Sequence, residues 1–387
     1  MNFRRFAFSL ALIVVLSPAA TDMYLVSMPD IAKHFDASYA LVQLSLTVFL
    51  FAQGAGQLLF GPVIDRLGRR FPMLIGLVVF MFCSVYAGVS QSIFVLIISR
   101  FIQGLSGALL LVIGFSSVRD VAEKDDAARM YALLLTIEGL TPVFAPIIGG
   151  YIDTFFGWRA VLFASAVMAV IALVNSVLNM KETLPLDKRI PLRPDIIWQT
   201  YLKIFADKKF LLPVIALSLV FFYLFAYVSG SAYLYQTIYG LSPDSFGLAF
   251  GLTGAAIILG AIVNSRIKLY NLIQVAMAGT IMIFIGTLIS FIMSFSIGVY
   301  GIIAGFTISM FGLGLAEPSL ISMTMSSQKT AFGFTAALMG AIHLMFGSLS
   351  TPVSGVLLPV NITHWFIFLI ATAVLIILST RIAARKT

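Results

Sequence analysis

The sequence predicts an all-α integral membrane protein of twelve spans, and three observations carry that prediction. Of 387 residues, 60% are hydrophobic and only 10% charged, against about 25% charged in a soluble domain. The mean hydropathy is +1.05. The apolar residues form long continuous runs, which suit helices in lipid and not the alternating strands of a barrel. A span needs roughly 20 apolar residues, so the chain has room for about a dozen with short connections.

The runs place spans at approximately 6–28, 40–60, 71–90, 93–117, 130–151, 158–180, 210–238, 246–264, 272–294, 298–325, 331–351 and 363–381. The one long hydrophilic stretch, Lys181 to Lys209, divides them six and six. An N-terminal bundle over 1–180, a central cytoplasmic loop over 181–209 and a C-terminal bundle over 210–387 follow. The first run has the look of a secretory leader up to Ala20. It continues to Met28, however, and cleavage near Ala20 would remove Asp22, so a retained span is expected.

The net charge of +8 does not point to nucleic acid, because the basic residues lie between apolar runs and not on one soluble face. Arg4, Arg5, Arg66, Arg69, Arg70, Arg119, Lys124, Arg129, Lys181, Lys188, Arg189, Arg193, Lys203, Lys208, Lys209, Arg266, Lys268, Lys329, Arg381, Arg385 and Lys386 all fall on one side. Only Lys33 and Arg159 fall on the other, and Arg100 is inside a span. The positive-inside rule therefore puts both termini in the cytoplasm. Trp158 and Trp365 are expected at the outer interface, where aromatic belts form. Cys83 has no thiol partner, and no His or Cys cluster suggests a metal. Without a nucleophile–base pairing or a nucleotide loop, an enzyme is not expected, nor is a cofactor.

Four segments carry the functional reading. Gly61-Pro62-Val63-Ile64-Asp65-Arg66-Leu67-Gly68-Arg69-Arg70 follows the second span. Gly61 permits close helix approach and Gly68 a tight turn. The arginines can pair with acids on the next loop on the same side, with Asp120 the preferred partner. Asp65 is expected to bond to a helix end from the other half. A fainter counterpart, Gly260 to Arg266 with Asn264 in the place of Asp65, follows the eighth span, as in transporters built from related halves. In the fourth span Arg100 precedes Gln103, Gly104 and Gly107, and a buried arginine costs at least about 2.5–3.5 kcal/mol unless satisfied. In the fifth span Gly139, Pro142, Pro146, Gly149 and Gly150 make a seam of small and bending residues. The remaining ionisable residues inside spans are Asp22, Glu138, Glu317 and His343, which are functional candidates by default. Asp22 and Arg100 are expected to face each other. The seventh span is rich in aromatic residues, including Phe222, Tyr223 and Tyr227, as pockets for amphipathic ligands are.

These segments resemble the major facilitator superfamily. The loop matches its signature G-x-x-x-D-R-x-G-R-R at every fixed position. Arg100 and Gly104 resemble its fourth-helix R-x-x-x-G. Pro146 to Gly150 resembles the G-P-x-x-G-G of its antiporters, with Ala145 in place of the first glycine. Thr21-Asp22-Met23-Tyr24-Leu25, Arg119-Asp120, Gly157-Trp158-Arg159 and Glu182-Thr183-Leu184-Pro185 resemble the bicyclomycin/chloramphenicol-resistance subfamily of drug:proton antiporters, as does Ala336 to Gly340. Val26 departs from it, where the subfamily usually has proline. The resemblance implies the major facilitator fold, two pseudo-symmetric six-helix bundles in a bacterial inner membrane. It also implies proton-coupled efflux of small amphipathic compounds by a monomer. Asp22, Glu138 and Arg100 are then the proton-coupling candidates. Asp22, Tyr24, Arg100, Phe222, Tyr223, Tyr227, Glu317 and His343 are the substrate-binding candidates. Gly61, Asp65, Arg66, Gly68, Arg69, Arg70, Asp120, Pro142, Pro146, Gly149 and Gly150 are the gating candidates. Export of one dedicated metabolite, such as a carboxylate siderophore, is the alternative reading, and a non-transporting membrane receptor a remote one.

Overall fold

The computed structural model describes residues 3–384 except 123, 190, 192, 268–270 and 329–331. Lys268, Lys329, Arg385 and Lys386 therefore lie outside the described residues. The N-terminal half contains α1 (Phe3–Val14), α2 (Leu16–Val26), α3 (Met28–His34), α4 (Tyr39–Leu67), α5 (Arg70–Gly88), α6 (Ile93–Val121), α7 (Lys124–Phe156) and α8 (Trp158–Asn179). A connector helix α9 (Pro194–Ala206) leads into the C-terminal half. That half contains α10 (Lys208–Ala232) with a π turn at Tyr233–Ile238, α11 (Pro243–Arg266), α12 (Leu272–Ser294), α13 (Val299–Ser326), α14 (Phe332–Ser348), α15 (Ser350–Val360) and α16 (Ile362–Ala384). Twelve stretches among the described residues are long and apolar enough to cross a membrane.

These runs become helices because lipid offers backbone N–H and C=O groups no partner, so each segment must satisfy its own. Large apolar side chains such as Phe82, Phe94, Phe155 and Leu178 stand exposed, as a surface turned to lipid requires. Local chemistry sets the ends. The Ser38 hydroxyl accepts from the Leu41 N–H at 3.3 Å at the start of α4. Gly68 ends that helix with φ of +90°, a region that favours glycine. The first span is interrupted at Val15, and its helix ends at Ser27, with Pro29 in the first turn of α3. The eleventh is interrupted at Leu349, between α14 and α15.

The two halves meet along two seams, α4 against α14 and α15, and α7 against α11. An even number of crossings leaves both chain ends on one side, here the termini side; the opposite one is the far side. The faint repeat has a structural basis. Asn264 of α11 donates to the Leu315 carbonyl at 2.6 Å and to Ser319 Oγ at 2.8 Å, tying α11 to α13. Asp65 stands at the equivalent place in α4, where the ties run to α6.

Three expectations need correction. The 181–209 stretch is not simply a loop, since it contains α9, whose apolar residues are too scattered to read as a span. Helix α7 continues five residues past the expected end at 151, to Phe156. Trp365 is wholly buried, donating to Ser354 Oγ at 3.1 Å among Phe306 and Phe366, so it is core and not an interfacial anchor.

Candidate functional site

Three of the sequence segments converge at the termini-side end of the N-terminal half. Arg69, 2% exposed, donates from Nη2 to Asp65 Oδ1 at 2.8 Å and from Nε to Asp120 Oδ2 at 2.9 Å. Thr183 Oγ1 donates to the same Asp120 oxygen at 3.3 Å. Glu182 Oε1 accepts from the N–H groups of Arg69 at 2.8 Å and of Thr183 and Leu184 at 3.0 Å. The Arg189 guanidinium lies 3.5 Å from the other Glu182 oxygen. Gly68 sits beneath this lid, where a Cβ would press on the Arg189 and Glu182 side chains. Arg70 is exposed and donates to the Val177 carbonyl at 3.4 Å. Arg66 is exposed outside the cluster, and nothing packs within 4 Å of the place of a Gly61 Cβ, so close helix approach is not its role here. Asp65 bonds within its own half; the expected bond to the other half is not formed in this conformation.

Partial burial works to raise the Glu182 pKa. Hydrogen bonds from the backbone of Arg69, Leu184 and Arg70, with the Arg189 charge, outweigh it and hold the carboxyl below its ordinary value. A depressed pKa stabilises the fold above the ordinary value near 4.5, and the contribution is lost as pH falls through the lower folded value. Glu182→Gln is therefore expected to destabilise the protein by about 1 kcal/mol or less at neutral pH, the range of an exposed ion pair. Thermal melts at pH 7 and below pH 4 check this: the difference from wild type should close in acid.

Deeper in the half, the Arg100 guanidinium lies over the rings of Tyr24 at 4.5 Å and Phe49 at 4.1 Å. Its Nη1 donates to Gln103 Oε1 at 2.7 Å, and Gln103 in turn donates to Ser84 Oγ at 2.7 Å. Arg100 is wholly buried, as is Tyr24, whose hydroxyl is bonded to Ser45. Asp22 does not pair with Arg100. Residues two apart on a helix do not share a face, so the turn of α2 that lays Tyr24 on the guanidinium points Asp22 elsewhere. Cation–π contact replaces the expected carboxylate.

Glu138 of α7 and Glu317 of α13 belong to opposite halves. Both are half-buried. His343 of α14 packs on the Phe221 ring at 4.1 Å. The other aromatic candidates are packed inside the C-terminal half. Tyr223 is bonded to Thr287 at 2.6 Å and Tyr227 to Thr253 at 3.0 Å, both wholly buried. Phe222 lies between Phe346 and Phe368. The sequence reading missed Asp153, which the extension of α7 carries into a helix where it is 4% exposed. Its signal was its place one helical turn before Gly157.

The fifth-span motif forms the α7–α11 seam. A Cβ on Gly150 would press on the Pro243 carbonyl, one on Gly247 on that of Pro146, and one on Gly254 on that of Pro142. Gly149 faces the Met23 backbone instead. Hydrogen bonds lock the far side across the halves: Tyr39 and Gln43 donate to the Ser229 carbonyl at 2.9 and 3.0 Å, and Gln236 to that of Val26 at 2.8 Å. Thr47 and Thr351 share a further one. The far side is thus closed. Gly247→Ala is expected to open it, since overpacking costs about 1–3 kcal/mol, enough for a 5- to 150-fold population shift. Maleimide labelling of Ser229→Cys in that background reads the change.

The description of the Major Facilitator Superfamily matches residues 10–352. The chain belongs to this superfamily. The MFS-type transporter YdgK of Bacillus subtilis (strain 168) is 35% identical over 360 residues, 90% of this chain and 88% of that protein. A bicyclomycin resistance protein homolog of Haemophilus influenzae is 34% identical over 67% of this chain and 66% of its own length. The multidrug resistance protein MdtL of Escherichia coli O9:H4 is 29% identical over 62% and 61%. Among solved structures, a peptide transporter bound to sulfate superposes with a TM-score of 0.81 at 14% identity, covering 98% of this chain and 93% of that one. A bacterial homolog of the lysosomal transporter Spinster, in an inward-facing conformation, gives 0.75 at 14%, covering 100% and 96%. These two speak for the fold alone. The chain is accordingly a multi-pass membrane transporter of the major facilitator fold. The drug-resistance relatives stand with the subfamily its first-helix and loop segments resemble.

Proposed function

We propose that this transporter exports small amphipathic compounds from a bacterial cell in exchange for protons, with both termini cytoplasmic and the monomer as the working unit. One observation carries the reading: Asp22, Glu138 and Glu317 lie inside spans, and none forms an ion pair among the described residues. A lone charge at such depth is costly, so taking up and releasing a proton is the chemistry available to these groups. Asp22 stands in the first span, away from the Arg100 cage. Glu138 and Glu317 put one acid in each half, so relative motion of the halves would change the separation of the two carboxyls. Protons moving inward through 100 mV release about 2.3 kcal/mol each.

The resistance relatives support drug-like cargo. Proteoliposomes given an inward proton gradient and a panel of cationic, neutral and carboxylate compounds test the reading. Gradient-dependent movement of several unrelated amphiphiles is expected. Movement of one carboxylate metabolite alone would favour dedicated export, and movement indifferent to the proton gradient would end the antiport reading.

A further inference from the structure

Helix α9 is amphipathic and lies outside the twelve candidate spans found among the described residues. At about 100° per residue, Ile197, Tyr201 and Ile204 share one arc and Trp198, Phe205 and Leu202 the adjacent arc. The first arc docks on the protein. Tyr201, 7% exposed, donates to the Leu58 carbonyl of α4 at 3.3 Å and packs edge-on against Phe334 of α14 at 5.3 Å. Tyr201 therefore touches one helix from each half, on the seam between them. The second arc is bare: Trp198 is 63% exposed, Leu202 50% and Phe205 47%.

What covers that arc follows from where the helix is held. Asp207 alone separates α9 from α10, and α10 begins a span at Lys208. The helix cannot leave the plane where the bilayer meets water. A tryptophan beside leucine and phenylalanine is the composition of a face that enters the headgroup boundary. The charges around it are complementary to an anionic leaflet. Arg193, Lys203, Lys208 and Lys209 are exposed. Of the nearby acids, Asp207 is occupied, its Oδ1 by the Lys209 N–H at 2.9 Å and its Oδ2 by Gln328, just past the end of α13, at 2.8 Å. Asp195 remains.

We infer that α9 is a lipid-docking element that seats Trp198, Leu202 and Phe205 in the termini-side leaflet and takes anionic headgroups through Lys203, Lys208 and Lys209. Through Tyr201 the seat bears on the α4–α14 seam, so the charge of the leaflet acts on the spacing of the two halves at that end. None of this depends on whether the cargo is a drug or on proton coupling.

The test uses the full chain in nanodiscs of phosphatidylcholine alone or with phosphatidylglycerol. In a Cys83→Ala background, an environment-sensitive fluorophore is placed by Leu202→Cys or, on the polar face, by Gln199→Cys. Lipids nitroxide-labelled near the headgroup should quench the label at 202 at least twofold more than at 199. Phosphatidylglycerol should deepen that quenching, and a Lys203→Gln/Lys208→Gln/Lys209→Gln variant should abolish the added effect while the basal quenching stays. Equal quenching at 202 and 199 would overturn the docking. Quenching indifferent to phosphatidylglycerol would overturn the recognition of anionic lipid. Spin-label distances between Leu67→Cys and Phe332→Cys read the link to the seam: phosphatidylglycerol should shift them in wild type and not in Tyr201→Ala, and distances that ignore the lipid in both overturn the link.

Discussion

Asp22→Asn is expected to abolish proton-driven accumulation while leaving the protein folded and able to bind its cargo. Asparagine keeps the shape of the side chain and removes only its capacity to carry a proton. The fold should tolerate it, because no hydrogen bond or ion pair of the Asp22 carboxyl is found among the described residues, and the Arg100 cage is built from Tyr24, Phe49 and Gln103 without it. Coupling through one proton at 100 mV is worth about 2.3 kcal/mol, or roughly a 50-fold concentration ratio at 1.4 kcal/mol per factor of ten. The mutant's ratio should fall toward one. Exchange of labelled for unlabelled cargo without a gradient should continue, and this separates lost coupling from lost binding. Glu138→Gln should impair accumulation less, because Glu317 of α13 remains as a second carboxyl inside a span. Full gradient-driven accumulation by Asp22→Asn vesicles would remove Asp22 from the coupling step.

How much of this was readable from sequence depends on the range of the physics involved. Span number and approximate limits come from hydropathy summed over some 20 consecutive residues, so local composition decides them. The pairing of Arg69 with Asp120 was likewise within reach, because two short loops on one side of a membrane have few other places to put opposite charges. Arg100 shows where that reasoning fails. Depth along the normal placed Asp22 and Arg100 together, but rotation about α2 decides what they meet, and neither residue's neighbours in sequence reveal it. The aromatic residues of the seventh span fail similarly. Composition cannot distinguish a Tyr223 whose hydroxyl is spent on Thr287 from one that lines a cavity. Helix α9 hid for another reason: a half-apolar face at a membrane surface lies below the hydropathy of a span and above that of a loop.

Arg69→Ala is expected to be the most destabilising change in the termini-side cluster, ahead of Asp65→Ala. Arg69 is nearly wholly buried and joins two acids of unequal exposure: Asp120, whose side chain is 9% exposed, and Asp65, at 35%. Removing the guanidinium leaves the buried Asp120 without its cation and Asp65 with only the exposed Arg119, 4.0 Å away, and breaking a buried pair by deleting one partner costs about 3–5 kcal/mol. Removing Asp65 leaves the Arg69–Asp120 bond in place, and its own contact is half in solvent, so a loss of about 1 kcal/mol is the appropriate scale. That smaller loss still matters to a transporter, because 1 kcal/mol shifts a two-state equilibrium about fivefold. Asp65→Ala should therefore melt close to wild type and turn over slowly with ligand binding retained, while Arg69→Ala should melt well below it. Arg69→Lys should recover only part of the difference, since a single ammonium is a point charge and cannot serve both acids as the planar guanidinium does. Thermal melts in detergent, paired with label distances across the termini-side ends of the halves, decide the matter. An Arg69→Ala protein as stable as wild type would mean that the two carboxylates do not need the cation. In that case the lid of Glu182, Thr183 and Arg189 over Gly68 would be what holds the loop.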